Sequence, residues 1–373
     1  MACRFSPSAA LVIDVGSSCL YAGHAGGNLT HIVPSLVGRP KFQLLSVGSS
    51  SKGEYVGGKA QHMRHLLSLA YPVQNGVVRN WDDMELLWRH CFYGQLRVFP
   101  EEHPVLLTEA IHNPLANREK MVQLMFETFE VPATYVASQP LLVMMAEDVS
   151  TGLSLCIGDG VLQAMPLYEH YILEHGTRRK DLAGSALTDF LRELLLERGH
   201  DHTSTTAERE VIREIKERMC YVALDFEAEM SKAAMTIECE KSYELPDGQV
   251  ITLGNERFRC AEPLFQPNKL LDTDMLTDGV HKIVYDAVMQ CPIDTRKDLL
   301  SNIVVAGGTS MLPGFEERLV KELTALLRAN SVCKQHSVFY GGSALCSLST
   351  FEDRWLDKET YEEYGPAVGH QCL

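Results

Sequence analysis

The sequence lacks several features that would assign it to a simple class. No apolar run approaches the roughly 18–20 residues that a membrane span requires. Its 11 cysteines include no Cys-x-x-Cys pair, so neither a zinc ribbon nor a thioredoxin-like site is indicated. The first residues hold one arginine and no apolar segment typical of a secretory signal. These absences predict a protein of the cytoplasm or nucleus with buried or inert thiols.

Positive charge is also scarce, because 34 Lys and Arg residues face 49 Asp and Glu residues, for a net charge of −15. Nucleic acids and anionic membranes select basic surfaces, so we expect neither direct nucleic-acid binding nor membrane insertion. The negative net charge is still compatible with a nucleotide that is bound by a few local hydrogen-bond donors. The 373 residues, 45% hydrophobic and 22% charged, indicate a globular protein of two or more lobes at roughly 100–200 residues per domain.

Two glycine loops follow short apolar runs. The run 10–13 ends at Asp14 and the run 153–157 ends at Gly158, and each predicts a strand, a tight turn and a returning strand. Glycines let backbone N–H groups converge on an anion. Either loop alone is more typical of an ordinary β-turn than of an anion site, but the pair opens two halves of similar length. The pair predicts a duplicated fold that grips a polyphosphate and its metal. The loop residues are Gly16, Ser17, Ser18 and Cys19, and Gly158, Asp159, Gly160 and Val161.

Apolar periodicity between and after these loops indicates strands that alternate with helices. Such alternation is typical of an α/β fold with layered sheets. The predicted helices are 84–92, 117–129, 206–225 and 315–327, and the predicted buried strands are 105–107, 302–306 and 338–340.

Several long segments resemble actin. They are Asn80–Glu85, Pro100–Ala110, Asn117–Met121, Ile215–Glu217, Cys220–Phe226, Lys241–Thr252 and Gly341–Phe351. The resemblance covers essentially the whole chain with short gaps, and it identifies a divergent, actin-like member of the actin family.

The resemblance implies an α/β, two-lobed, four-subdomain fold of the actin and hexokinase type, with duplicated layered sheets around a nucleotide cleft. Subdomain 1 is expected at residues 1–34, 72–146 and 337–373, and subdomain 2 at 35–71 with a loop at 42–52. Subdomain 3 is expected at 147–182 and 272–336, and subdomain 4 at 183–271.

The resemblance also implies a cofactor, ATP or ADP with Mg²⁺ or Ca²⁺. Asp14 is expected to hold the metal through water, and Gln139 to orient the attacking water. The two glycine loops and Tyr21 are expected at the phosphates. Lys216, Glu217, Gly308, Thr309 and Met311 are expected at the ribose and the base.

Three positions depart from the family pattern where the family does its chemistry. Tyr21 stands where actins place a phosphate-directed lysine, Cys156 where they place a metal-shell aspartate, and Gln163 where they place a water-positioning histidine. Losing a charge-assisted phosphate contact removes roughly 1.5–3 kcal/mol, and a thiol is a poor partner for a hard cation. These departures predict nucleotide binding with weakened hydrolysis, at most a slow ATPase; compensation by neighbouring residues is the alternative.

The resemblance implies assembly through a loop containing Leu44, Leu45 and Val47, which would insert into the groove of a neighbour. That groove would include Met145, Ser150, Ala344, Leu345, Leu348 and Thr350, and would also receive actin-binding proteins. The predicted function is a cytoskeletal structural protein that assembles with itself or with other actin-family subunits, in the cytoplasm or also the nucleus. Two alternatives stay open: an active polymerising ATPase like actin, and a subunit of a chromatin-remodelling or dynein-activating complex.

Overall fold

The computed structural model describes residues 10–41, 53–200, 205–269, 278–326, 331–334 and 337–372. The chain divides into two compact units: unit one holds residues 1–150 and 336–373, and unit two holds residues 151–335.

Strands and helices alternate along the described chain. The strands are β1 (Leu11–Val15), β2 (Cys19–His24), β3 (His31–Pro34), β4 (Val37–Pro40), β5 (Tyr55–Val56), β6 (Leu67–Ala70), β7 (Val73–Gln74), β8 (Val77–Val78), β9 (Val105–Glu109), β10 (Ala133–Ser138), β11 (Gly152–Ile157), β12 (Leu162–Tyr168), β13 (Tyr171–Ile172), β14 (Arg178–Lys180), β15 (Lys241–Glu244), β16 (Val250–Leu253), β17 (Ile303–Ala306), β18 (Ser331–Lys334) and β19 (Leu356–Asp357). The α-helices are α1 (Gly58–His62), α2 (Trp81–Arg89), α3 (Leu115–Glu127), α4 (Gln139–Ala146), α5 (Gly184–Glu197), α6 (Thr206–Met219), α7 (Phe226–Met235), α8 (Glu256–Arg259), α9 (Val280–Met289), α10 (Arg296–Ser301), α11 (Phe315–Leu326), α12 (Ser337–Ser347) and α13 (Lys358–Tyr364).

Unit one is built on a mixed sheet, whose described strands have the order β19-β10-β9-β1-β2-β3. β1 and β2 form an antiparallel hairpin, and β9 runs parallel to both β1 and β10. All residues of β1 and β9 are buried, as expected for central strands covered on both faces. Trp88 and Phe92, from α2 and the π-helix that follows it, fill the core of this unit.

Unit two repeats this plan. Its main sheet has the described order β13-β12-β11-β17-β18, with β14 also paired to β12. β11 and β12 form an antiparallel hairpin, and β17 runs parallel to β11. Buried residues of α5, α6, α9 and α11 pack on these strands in a separate core. The α/β class and the two predicted hairpins are therefore confirmed.

Two predicted elements differ from the structure. The predicted strand 338–340 is wrong, because these residues belong to α12. Its glycines allow a close helix contact: a Cβ at Gly341 would overlap the Leu142 carbonyl, and one at Gly342 would lie 2.8 Å from Val12 Cγ1. The predicted helix 206–225 ends at Met219, because Cys220 is extended and the Val222 N–H donates to the Pro313 carbonyl at 2.8 Å.

Candidate functional site

The first glycine loop of unit one is a closed and supported turn. The Gly16 N–H donates to the Cys19 carbonyl at 3.1 Å, and a Cβ at Gly16 would lie 2.6 Å from that oxygen. Ser35 Oγ donates to the Gly16 carbonyl at 2.8 Å, and the Gly76 N–H donates to Ser17 Oγ at 3.0 Å. The Ser17 N–H has no acceptor among the described residues. The loop is therefore fixed while one of its donors stays available.

Asp14, two residues before this loop, is buried and oriented by two donors. Thr108 Oγ1 donates to Asp14 Oδ1 at 2.6 Å, and Gln139 Nε2 donates to the same oxygen at 2.8 Å. Thr108 also accepts from the Val15 N–H at 3.0 Å. Asp14 and Gln139 are expected from the sequence, whereas Thr108 is not. No local pattern marks Thr108, because 94 residues separate it from Asp14 and the parallel pairing of β1 with β9 brings them together.

The second glycine loop, in unit two, closes with the same hydrogen bond as the first. The Gly158 N–H donates to the Val161 carbonyl at 3.0 Å. The Gly158 carbonyl accepts from Thr309 Oγ1 at 2.6 Å and from the Gly184 N–H at 3.2 Å. The N–H groups of Asp159 and Gly160 have no acceptor within the described ranges. Two adjacent free amides are the arrangement that binds an anion.

Lys216 of α6 lies under the second loop. Its ammonium group donates to the Gly184 carbonyl at 2.6 Å and to Thr188 Oγ1 at 2.9 Å, and lies 3.9 Å from Asp159 Oδ1. Lys216 is 4% exposed, whereas the adjacent Glu217 is exposed. In this structure Lys216 stabilises the loop from within. Gly184 and Thr188 were missed by the sequence analysis, since only the packing of α5 against α6 places them there.

Gly308, Thr309 and Met311 belong to a single 3₁₀ turn after β17. Gly307 begins this turn with φ +100°, and a Cβ there would overlap the Ile157 carbonyl. Thr309 is buried against the second loop, whereas Gly308 and Met311 are exposed. The turn therefore contacts the second loop through Thr309 and exposes Gly308 and Met311 at the surface.

Two departures from the family pattern are neighbours in the structure. Cys156 and Gln163 are directly paired in the β11–β12 hairpin and are 6% and 2% exposed. Cys156 Sγ lies 3.5 Å from Ser154 Oγ. The half-buried Tyr21 pairs with Asp14 in the β1–β2 hairpin. Cys156 precedes its glycine loop by two residues, as Asp14 does, so the repeated hairpin carries a carboxylate in one unit and a thiol in the other.

The residues predicted to form the partner groove belong to unit one and lie in or just after α4 and α12. Met145 and Leu345 are partly buried against the core of the unit, while Leu348 is 46% exposed. Ser150, Ala344 and Thr350 are exposed. Leu44, Leu45 and Val47 of the proposed assembly loop lie outside the described residues.

The duplicated hairpins, with their glycine loops and parallel third strands, define an α/β fold of the actin-type ATPase class. The chain belongs to the actin family: the family model described as Actin matches residues 6–372. Proteins of this family generally bind ATP or ADP with a divalent cation. They typically self-assemble or bind actin-family partners and are typically cytoskeletal. Membership supports an actin-like nucleotide-binding protein. No helix in the described part of the chain is long and apolar enough to span a membrane. The four-subdomain boundaries and the roles of individual site residues stay predictions.

Proposed function

We propose that this chain is a cytoskeletal structural protein of the cytoplasm that binds ATP or ADP with Mg²⁺ or Ca²⁺, hydrolyses ATP weakly, and assembles with itself or with other actin-family subunits. The observation that carries the weakened hydrolysis is the buried pair Cys156–Gln163 beside the second glycine loop. This pair supplies neither a carboxylate nor an imidazole where the family places both.

Each unit by itself offers groups that fit phosphate oxygens or their cation. The free N–H groups of Ser17 in unit one, and of Asp159 and Gly160 in unit two, are donors suited to phosphate oxygens. The Asp14 carboxylate, oriented by Thr108 and Gln139, is a hard oxygen donor of the kind that Mg²⁺ and Ca²⁺ prefer. The cation would supply charge neutralisation at the phosphates.

The same residues support slow turnover. Hydrolysis of a phosphate anhydride requires a positioned water and stabilisation of the charge that develops on the phosphate oxygens. Gln139 can orient water, but its amide also holds Asp14. Tyr21 provides a hydroxyl in place of an ammonium charge, and Gln163 is a neutral amide that cannot accept a proton. Together these losses are expected to slow hydrolysis by factors of about 10² or more.

Nucleotide binding is tested by two measurements. Denatured protein should release ATP or ADP, and added ATP with Mg²⁺ should stabilise the fold by ~2.7 kcal/mol at a hundredfold excess over Kd. If the denatured protein releases no nucleotide and added ATP does not stabilise the fold, nucleotide binding is contradicted.

Phosphate release should be much slower than for conventional actin, and the triple change Tyr21→Lys, Cys156→Asp and Gln163→His should raise it. The matched triple Tyr21→Phe, Cys156→Ser and Gln163→Asn changes the same positions without restoring charge or a proton acceptor, and should leave it slow. Rapid release by the unaltered chain, coupled to assembly, would favour the polymerising ATPase instead.

A further inference from the structure

Unit two contains an open surface pocket of about 480 Å³. None of the residues predicted to bind the nucleotide lines it. It lies between the C-terminal end of α6, helix α7, the start of β15 and helix α8. Part of its wall is backbone: the Val222 N–H donates to the Pro313 carbonyl at 2.8 Å. A Cβ at Gly314, where φ is +82°, would overlap the Val222 carbonyl. The wall is thus closely packed, and the volume suits a small molecule.

The lining of this cavity is basic, although the whole chain has a net charge of −15. Its charged residues, within the described part of the chain, are four cations and two carboxylates: Arg218, Lys232, Lys241 and Arg257, with Glu229 and Glu238. We call this cavity the basic pocket.

Both carboxylates of the basic pocket already have partners. Glu238 Oε2 lies 2.9 Å from Lys232 Nζ. Glu229 Oε1 accepts from the Tyr221 hydroxyl at 2.8 Å; burial, and then this bond, raises the pKa of Tyr221. Arg218 is paired outside the lining, with Glu214 at 2.8 Å. Arg257 and Lys241 have no carboxylate partner among the described residues.

Arg257 is held in place and keeps one donor group available. Its Nε donates to the Met219 carbonyl at 2.8 Å and its Nη1 to the Cys239 carbonyl at 2.6 Å. Its guanidinium group lies 4.9 Å from the centre of the Tyr221 ring. These contacts fix the planar group, while Nη2 has no acceptor among the described residues. A fixed guanidinium group with a free amino group is suited to phosphate or carboxylate oxygens.

We propose that the basic pocket is a second ligand site, which binds a small organic anion through its phosphate or carboxylate groups. Arg257 binds the anion directionally, Lys241 supplies a second positive charge, and the side chains of Met219 and Val222 contact the apolar part of the ligand. The site is independent of the nucleotide-binding proposal.

Cysteine alkylation provides a local test, because Cys239 lines the basic pocket and, like Cys19 of the first glycine loop, is only partly buried. The protein, in buffer with ATP and with free Mg²⁺ held constant, is treated with iodoacetamide at increasing sodium pyrophosphate or sodium citrate. Mass spectrometry of peptides then gives the rate at each cysteine. We expect slower alkylation at Cys239 and no change at Cys19. Protection by pyrophosphate alone identifies a phosphate ligand, and by citrate alone a carboxylate ligand.

Lys241→Gln should raise about tenfold the probe concentration that halves the alkylation rate of Cys239. This is the loss of affinity expected when one charge-assisted hydrogen bond is removed. Lys297→Gln makes the same charge change at an exposed position outside the lining and should have no effect. Titration calorimetry with both probes, on the wild type and both variants, gives the same comparison independently of thiol reactivity. The proposal is overturned if neither probe binds, if both variants match the wild type, or if only Cys19 is protected.

Discussion

At the scale of single residues, two glycine variants distinguish support of the second loop from the predicted contact with the nucleotide base. A Cβ at Gly184 would lie 2.6 Å from Thr309 Oγ1 and 3.1 Å from Lys216 Nζ, whereas one at Gly308 would meet no protein atom within 4 Å. We expect Gly184→Ala to lower both the melting temperature of the nucleotide-free protein and the ATP affinity. Gly308→Ala should lower the affinity alone, because only a bound base would meet the new methyl group.

The two glycine variants are compared by thermal melting and by ATP titration. Gly58→Ala, another glycine with open space around it, is the control and should bind ATP like the wild type. Unchanged affinity in Gly308→Ala would place the base elsewhere.

His281 in α9 should make the fold sensitive to mild acid. Its ring stacks on Phe265 at 6.2 Å between centroids. Burial, helped by the charge of Arg318 and opposed by that of Glu322, lowers the pKa of His281 below 6.5. The unfolded chain then binds the proton more tightly, so the contribution of this group to stability is present above pH 6.5 and is lost as the pH falls below it.

Denaturant unfolding at several pH values measures this effect. The free energy of unfolding should fall less between pH 7 and pH 5.5 in His281→Gln than in the wild type. His62→Gln, at an exposed ring, should follow the wild type. Parallel curves for all three proteins would show that His281 stays neutral or equally protonated in both states.

At this scale, local patterns predicted the loops but not the groups that hold them. In each hairpin, the pattern of a strand, a glycine turn and a returning strand determines the register in which the two strands pair. The Thr108–Asp14 and Thr188–Lys216 bonds span 94 and 28 residues, so their formation depends on sheet pairing and helix packing. A hydroxyl residue within a strand or helix carries no signal of such a role.

At the scale of elements, α6 is begun by a reciprocal cap. The Glu208 N–H donates to Thr205 Oγ1 at 3.3 Å, and the Thr205 N–H donates to Glu208 Oε2 at 2.8 Å. Thr205→Ala should lower the free energy of unfolding by about 1 kcal/mol, measured in denaturant. Thr128→Ala, at the C-terminal end of α3, should change it by less, because the Thr128 side chain makes no hydrogen bond to any described residue. If both variants lower the free energy of unfolding equally, the loss comes from the removed threonine methyl group and not from the cap.

The element that the sequence analysis assigned wrongly shows why periodicity alone is insufficient. Residues 338–340 are a short apolar run before two glycines, which is equally typical of a strand with a turn and of a buried helix. The tight approach of α12 to Leu142 decides for the helix, and that contact involves a residue almost 200 positions earlier. The glycines therefore serve helix packing.

At the scale of the whole molecule, two units with separate cores repeat one plan. The sheet orders of units one and two both place an antiparallel hairpin beside a parallel strand. The long matching segments were sufficient to predict this family fold. The repeated fold does not determine the chemistry of each loop. A single residue difference from the family pattern, such as Cys156, leaves the pairing of the hairpin strands unchanged.

Assembly is the property of the whole molecule that the groove of unit one should control. Leu348 is 46% exposed and follows the partly buried Leu345, so Leu348→Asp places a charge on the predicted groove without removing a core side chain. A head-to-tail contact between different patches yields open filaments, and a buried, unpaired carboxylate would disfavour it. We expect the variant to sediment less than the wild type in Mg²⁺ and ATP, with and without conventional actin. Leu326→Asp, at a leucine of matched exposure, 48%, in unit two, should sediment like the wild type. If the wild type is monomeric in every condition and neither variant differs from it, the subunit of a heteromeric complex becomes the better description.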